Sequence, residues 1–309
     1  MAQTVVALDI GGTKTAAALV TAEGAVTDVT TAPTPGDQGP EAIVRVASGL
    51  AADLLVTATA RGHEVVGLGV GSAGVIDTAT GRVVSATEVL RDWAGTEVRD
   101  ALSELSGIRH VVVDNDVHAH ALGETWLGAA SGASSAFFVA VGTGIGASVV
   151  IDGTVWHGRR DVAGHFGHVA VPHAGGMPCV CGGSGHLEAV AAGPAMVWSY
   201  NRRARADLTS LADVARRADA GDRLAVMTID IGARALGSAI GGAANLLDPE
   251  VVVIGGGVPG IGARWWEPME EAVRAELLPP LAELPVLPAR LGSAAALVGA
   301  ARLVWKGLA

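Results

Sequence analysis

Residues 5–15 read Val5-Val6-Ala7-Leu8-Asp9-Ile10-Gly11-Gly12-Thr13-Lys14-Thr15, and the fold follows from how that stretch is read. A strand-like apolar run meets a tight glycine turn with an acid before it and Thr and Lys after it. Paired glycines let a backbone approach a phosphate closely and aim its N–H groups at it. Asp9 is then suited to hold a magnesium ion through water, and Thr13 and Lys14 to meet phosphate oxygens. The pattern GxxxxGK followed by Ser or Thr occurs nowhere in the chain. Here the turn is expected to lead into a second strand, Thr15 to Val20, and not into a helix. The alternative is a plain hairpin with a Gly-Gly turn.

Working outward, strands are expected at 3–10, 15–21 and 25–30, then a Pro/Gly loop over 31–40 and a helix over 41–61 with Ile43, Val46, Ala47, Leu50 and Leu54 on one face. Further strands fall at 65–71 and 111–113, with a helix at about 117–129. Residues 137–141 and 147–151 flank a second glycine turn, Val141-Gly142-Thr143-Gly144-Ile145-Gly146. Helices follow at 187–202, 208–219 and 222–246, a strand at 251–254 and a last helix at about 293–305. Each half thus opens with a strand, a glycine turn and a strand. That doubling is the organisation of an α/β, two-domain actin-like (ribonuclease-H-like) ATPase fold, in which two domains close over a nucleotide in a central active-site cleft. The expected domains are 1–116 with 296–309, and 117–295.

Composition agrees with a large packed core. Of 309 residues, 50% are hydrophobic and 17% charged, and the 43 glycines suit many tight strand–helix junctions. The net charge of −10 argues against a nucleic-acid partner, which needs a basic face. The N-terminus lacks the basic and apolar regions of a signal peptide, and the longest uncharged run, 136–151, reads as strand–turn–strand. No membrane association is expected, and the cytoplasm is the default compartment.

Gly69-Val70-Gly71-Ser72-Ala73-Gly74 matches the dinucleotide-binding pattern G-x-G-x-x-G, with Glu88 near the position of a ribose-binding acid. Residues 75–81 read as strand and turn, without the required helix, so that reading is rejected. Asp114-Asn115-Asp116 follows a valine strand and precedes a helix, at the sheet end where α/β proteins place their chemistry. Phosphoryl transfer to an alcohol needs an acid within reach of the hydroxyl proton. Asp116 is therefore the catalytic candidate, and the competing reading is that one of these residues only caps the helix. Residues 158–186 hold His165, His168, His173, Cys179, Cys181 and His186. Cysteines one residue apart are poorly placed for a disulfide. With His168 and His186 they make a tetrahedral zinc site, unless they are free thiols among surface histidines.

These segments together resemble the ROK family (repressor, open reading frame, kinase). DIGGTK from Asp9 resembles its phosphate motif, VDNDVHAHALGE its catalytic segment and VGTGIGASVVIDG its second phosphate turn. AGHFGHV (Ala163 to Val169) and CVCGGSGHLE (Cys179 to Glu188) resemble its sugar and zinc loop, and VVVIGGGV (Val251 to Val258) its nucleotide-side turn. The resemblance implies an ATP- and Mg2+-dependent hexose 6-kinase with structural zinc, acting as a homodimer. It makes Asp116 the general base toward the sugar 6-hydroxyl, with Asn115 and Gly74 at ring hydroxyls. His168 and Glu188 would reach the reducing-end side of the sugar. Gly11, Gly12, Thr13, Gly142, Thr143 and Gly144 would cradle phosphates, and Gly255, Gly256 and Gly257 would border the nucleoside. Zinc would sit on His168, Cys179, Cys181 and His186.

Two positions depart from the family pattern. His186 stands where the family usually has Cys, and either residue can bind zinc. His165 stands where the family usually has Glu, a double acceptor for sugar hydroxyls. A neutral His offers one donor and one acceptor, which points to a hexose altered at one ring position, to a rearranged pocket, or to unchanged glucose binding. The substrate candidates are glucose, an N-acylhexosamine and an amino sugar such as kanosamine. A sugar-sensing repressor of the same family would carry a winged helix-turn-helix ahead of the Asp9 segment, and none is expected here.

Overall fold

The structure, a computed structural model, describes residues 2–87 and 89–308. Glu88, named above for the rejected dinucleotide pattern, lies outside the described residues, as do Met1 and Ala309. The chain opens with β1 (Gln3–Ile10), β2 (Lys14–Thr21), β3 (Val26–Pro33) and α1 (Pro40–Ala60). Next come β4 (Glu64–Ser72), β5 (Val75–Asp77), β6 (Arg82–Ser85), α2 (Val98–Ser106), β7 (Val111–Asn115) and α3 (Asp116–Trp126). They are followed by β8 (Ser135–Val141), β9 (Ile145–Ile151), β10 (Thr154–Val155), α4 (Glu188–Ala191), α5 (Gly193–Ala204), α6 (Leu211–Asp219) and α7 (Arg223–Leu247). The last elements are β11 (Val251–Gly255), α8 (Ala263–Glu276), β12 (Val286–Pro288) and α9 (Ala295–Leu308).

Two compact units emerge: residues 1–132, 150–163 and 290–309 form one, and residues 133–149 and 164–289 the other. In the first, the sheet order is β3-β2-β1-β4-β7. β1 and β2 bury both faces because each face is covered, so they read as continuous apolar runs. Val6, Leu8 and Ile10 pack with α1 residues Ile43, Val44 and Ala47, while Val5 and Ala7 pack with Leu297, Ala300 and Val304 of α9. β3 alternates exposed and half-buried positions, as an edge strand covered on one side does. The parallel register places Asp9 beside Gly71, Gly71 beside Asp114, and Ser72 beside Asn115. The carboxyl ends of β1, β4 and β7 thus bring the first acid and the Asp114–Asn115 segment into one row.

This unit reaches further than the expected 1–116 with 296–309, because α3 belongs to it. α3 and α9 approach almost backbone to backbone. A Cβ on Gly299 would lie 1.7 Å from the Ala119 carbonyl oxygen, and one on Gly123 would lie 2.2 Å from that of Ala295. The buried Glu124 carboxylate accepts from the backbone N–H groups of Ala129, Arg290 and Leu291, tying the end of α3 to the approach to α9.

In the second unit β8 pairs with β11, and β11 with β12, all parallel. One continuous core joins Phe137, Val139 and Val141 to Met196, Tyr200, Ile229, Leu236, Trp265 and Met269 on the helices. α1 and α7 are long and apolar enough to cross a membrane by length and composition, and each buries a face in the core of its own unit.

Candidate active site

In the first unit β1 runs into the Gly11–Thr13 turn and β2 resumes at Lys14, as the opening stretch predicts. The turn is closed by the Gly11 N–H donating to the Lys14 carbonyl at 3.2 Å. Asp9 is half-buried at its entrance. Burial raises its pKa to about 6; Asp116 adds to the rise, while His120 and Lys14 oppose it. Asp9 and Asp116 therefore feel one another, and a cation near them would relieve both the burial and the repulsion.

β7 ends at Asn115 and α3 begins at Asp116. Asn115 caps α3: its side-chain oxygen accepts from the N–H groups of Val117 and His118 at 2.9 and 3.2 Å. Its amide nitrogen donates to the Gly74 carbonyl at 2.8 Å, and Gly74 holds a φ of 108°, open to glycine. A Cβ there would also press on the Ser85 carbonyl at 2.8 Å. So Gly74 and Asn115 are joined directly. Asp116 is half-buried, and one of its oxygens accepts from the Val117 N–H at 2.9 Å. Asn115 thus takes the capping role that the sequence left open among the three residues.

In the second unit the β8–β9 turn, Gly142–Gly144, is pinned from two sides. The Gly142 N–H donates to the Gly144 carbonyl, and the Gly193 N–H at the start of α5 donates to the Gly142 carbonyl, both at 2.9 Å. A helix N-terminus beside a glycine turn favours an anion. The turn after β11 lies against the same place: Gly256, at φ 92°, would put a Cβ 2.2 Å from the Val141 carbonyl oxygen. Both glycine segments are half-buried or exposed beyond their strands, apart from buried Gly255.

Glu188 joins this turn to the loop at 164–168. Its Oε2 accepts from the Ile145 N–H at 2.7 Å. Added Cβ atoms on Gly144 and Gly167 would stand 2.7 and 3.1 Å from that oxygen. The neighbouring segment carries His165, exposed, and His168, half-buried, with ring centroids 6.3 Å apart and nearly parallel.

The four expected metal ligands converge. Ligand atoms of His168, Cys179, Cys181 and His186 all lie within 4.8 Å of one another. Cys179 Sγ is 3.6 Å from His168 Nδ1, and Cys181 Sγ is 3.2 Å from His186 Nδ1. A tetrahedral zinc with bonds of about 2.3 Å to sulfur and 2.0–2.1 Å to nitrogen needs S···N edges of about 3.5 Å. The donor set and its spacing therefore fit zinc. The cysteines are held by a turn in which the Gly182 N–H donates to the Cys179 carbonyl, and by backbone bonds from Cys179 to Gly183 and Leu187 to Val169.

Sequence reasoning names Asp114 only as a possible helix cap and passes over His118 and His157. Asp114 is buried and bonded to both imidazoles, at 2.9 and 2.8 Å. The Asp114–His118 spacing of four across a strand end and first helical turn is a legible signal; His157, 43 residues away from Asp114, has none.

The ROK family model matches residues 5–306. A glucokinase of Halalkalibacterium halodurans is 33% identical over 97% of this chain and 94% of its own length. The crystal structure of a ROK hexokinase from Thermus thermophilus superposes with a TM-score of 0.87 at 33% identity, covering 99% of both chains. A ROK family glucokinase from Streptomyces griseus, in complex with glucose and AMPPNP, gives 0.82 at 32% identity, covering 98% of this chain and all of that one. With six motifs in order and the family model running from the first strand to the last helix, the chain belongs to the ROK family.

Proposed function

We propose that this protein is an ATP-dependent kinase that phosphorylates the 6-hydroxyl of a hexose, glucose or a modified glucose. The observation that carries the reading is the Asn115–Asp116 pair where β7 passes into α3, directly after Asp114, which shares a row with Asp9, in a chain one third identical to glucokinases over nearly all its length. The first unit supplies Asp116 as general base, Asn115 and Gly74 for ring hydroxyls, and Asp9, Gly11, Gly12, Thr13 and Lys14 for Mg2+ and phosphates. The second unit supplies Gly142, Thr143 and Gly144 for phosphates, Gly255 to Gly257 beside the nucleoside, and His165, His168 and Glu188 for the sugar. In the transfer, O6 bonds to the γ-phosphorus as the bond to the ADP oxygen breaks. The O6 proton passes to the Asp116 carboxylate, and ADP is the leaving group.

Zinc on His168, Cys179, Cys181 and His186 is structural in this reading: four protein ligands leave no position for water. It would hold the His168 ring through Nδ1 and so present Nε2 to the sugar. The enzyme works in the cytoplasm as a homodimer, which sedimentation of the purified chain checks.

His165 supports a second reading, an amino-sugar 6-kinase acting on kanosamine or an N-acylhexosamine. A panel of hexoses and aminohexoses with ATP, read by coupled ADP release, separates the two. Sugar binding without ADP release from any member would instead support a sugar-sensing repressor and overturn the kinase.

A further inference from the structure

Asp114, His118 and His157 take no part in the reading above, and all three lie in the first unit. The Asp114 carboxylate, 3% exposed, carries three donors: the Asn115 N–H at 2.7 Å, the His118 ring at 2.9 Å and the His157 ring at 2.8 Å. The two rings meet edge to face with centroids 4.9 Å apart. Each ring also has a second backbone partner. His118 Nε2 is 3.2 Å from the Ala163 carbonyl oxygen, and His157 has a backbone hydrogen bond at Val155 that favours its protonated form. A neutral imidazole has one donor and one acceptor. His157 therefore satisfies both oxygens only when it carries two protons. The groups facing His157 are Asp114 from β7, His118 from α3 and Asp161 from its own loop, so two carboxylates stand against two imidazoles.

The same bonds fasten residues 157–163 to the end of β7. The Ala163 N–H donates to the His157 carbonyl at 3.1 Å, closing the segment on itself. The Thr78 hydroxyl donates to Asp161 at 3.3 Å. Asp114 in turn holds the N–H of Asn115, the residue that caps α3 and bonds Gly74.

We propose that Asp114, His118 and His157 form a proton-dependent latch that positions Asn115 and Asp116, tight when His157 is an imidazolium that bonds both Asp114 and the backbone at Val155, and loosened when it loses its proton and must give up one of the two. They are positioning residues, acting through Asn115. The kinetic part of the proposal rests on the kinase reading; the structural part does not.

The sign is set by the surroundings. Burial favours neutral His157, but the hydrogen bond to Asp114 and the charges of Asp114 and Asp161 outweigh it and hold its pKa above the usual 6.5. Burial likewise opposes ionised Asp114, yet the bonds from His118 and His157 bring it down to about 2. The latch is complete at low and neutral pH and loosens as pH rises through the raised His157 value.

Hydrogen exchange read by mass spectrometry tests this on the full chain. Peptides covering 156–163 are followed from pH 6 to 9, with rates corrected for the intrinsic pH dependence of exchange. In the unaltered protein protection should fall about tenfold or more, the scale of one charge-assisted hydrogen bond. His157→Gln has no proton to lose between pH 6 and 9 and should show no such fall. On the kinase reading, kcat should decline along the same alkaline limb in the unaltered enzyme. In His157→Gln that limb should be absent, with the KM for ATP unchanged. Protection that stays flat in the unaltered protein, or that falls alike in both proteins, overturns the latch. If the fall and its loss are seen while no sugar is phosphorylated, the latch stands and the kinase reading fails. If the exchange behaves as described but both enzymes share the kinetic limb, positioning of Asp116 is refuted.

Discussion

Asp116→Asn separates a catalytic carboxylate from a helix-terminal one, and the structure sets both magnitudes. Asn115 already caps α3 with two bonds, and Asp116 adds one, to the Val117 N–H at 2.9 Å. An amide oxygen can take over that bond. What the variant loses is the attraction of a negative charge to a helix N-terminus, about 0.3–1 kcal/mol. At roughly 2–4 °C per kcal/mol for units of this size, Tm should fall by no more than a few degrees. A general base is worth about 100- to 10,000-fold, or roughly 3–5 kcal/mol of barrier. The assay is coupled ADP release at saturating sugar and ATP, beside calorimetric sugar binding and a thermal melt. The expected result is turnover down by at least about 100-fold, with sugar affinity and Tm little changed. Turnover within about threefold of the unaltered enzyme would show that Asp116 only serves the helix end, and the general-base assignment would be wrong.

Four further outcomes are expected. Because burial raises the Asp9 pKa to about 6, Asp9 loses its negative charge as pH falls through that value, so the KM for MgATP should climb on the acid side; a KM flat from pH 7 to 5 would remove Asp9 from the magnesium site. Metal analysis should give about one zinc per chain, and Cys181→Ser should lower metal content, sugar affinity and Tm together; protein that folds and turns over without metal would refute the zinc assignment. His165→Glu should raise kcat/KM for glucose relative to the best aminohexose by more than the roughly 10-fold that one modest contact is worth, and an unmoved ratio would make His165 a neutral exchange. Gly299→Ala should cost about 1–3 kcal/mol by overpacking, since its Cβ would meet a backbone oxygen that cannot step aside; an unchanged denaturation midpoint would contradict the packing.

The strand–glycine-turn–strand units were legible because each lies within a dozen residues and its apolar runs need no distant partner to be recognised. β1, β2, β4, β7, β8 and β11 stand where periodicity and apolar runs place them, within a few residues. α8 was not: Pro268 sits inside it and reads as a break, although Trp265, Met269 and Val273 bury a helical face. α2 is nine residues long, and β12 only three, too short for a period to show. That the first compact unit takes in α3 is not legible in the sequence, because what draws α3 to α9 is the absence of side chains at Gly123 and Gly299, a signal visible only once the two helices are in register. At the site, the Cys179–Cys181 pair and its histidines are close in sequence and could be named together. The pairing of His157 with Asp114 spans 43 residues and depends on how the β10 hairpin returns the chain to β7.

α9 gives the first unit an unusual order of assembly. The face of its sheet formed by Val5, Ala7, Ala16, Ala18 and Val20 is covered by Leu297, Ala300, Ala301 and Val304, which the ribosome adds only after residues 133–289. During synthesis, then, the second unit has all its sequence before the first has its cover, and that apolar sheet face must wait in a crowded cell. Such a waiting surface is where chaperones bind and where aggregation starts. The abundance of alanine and glycine on it, in place of larger apolar side chains, both admits the close approach of α9 and leaves less greasy area to guard meanwhile.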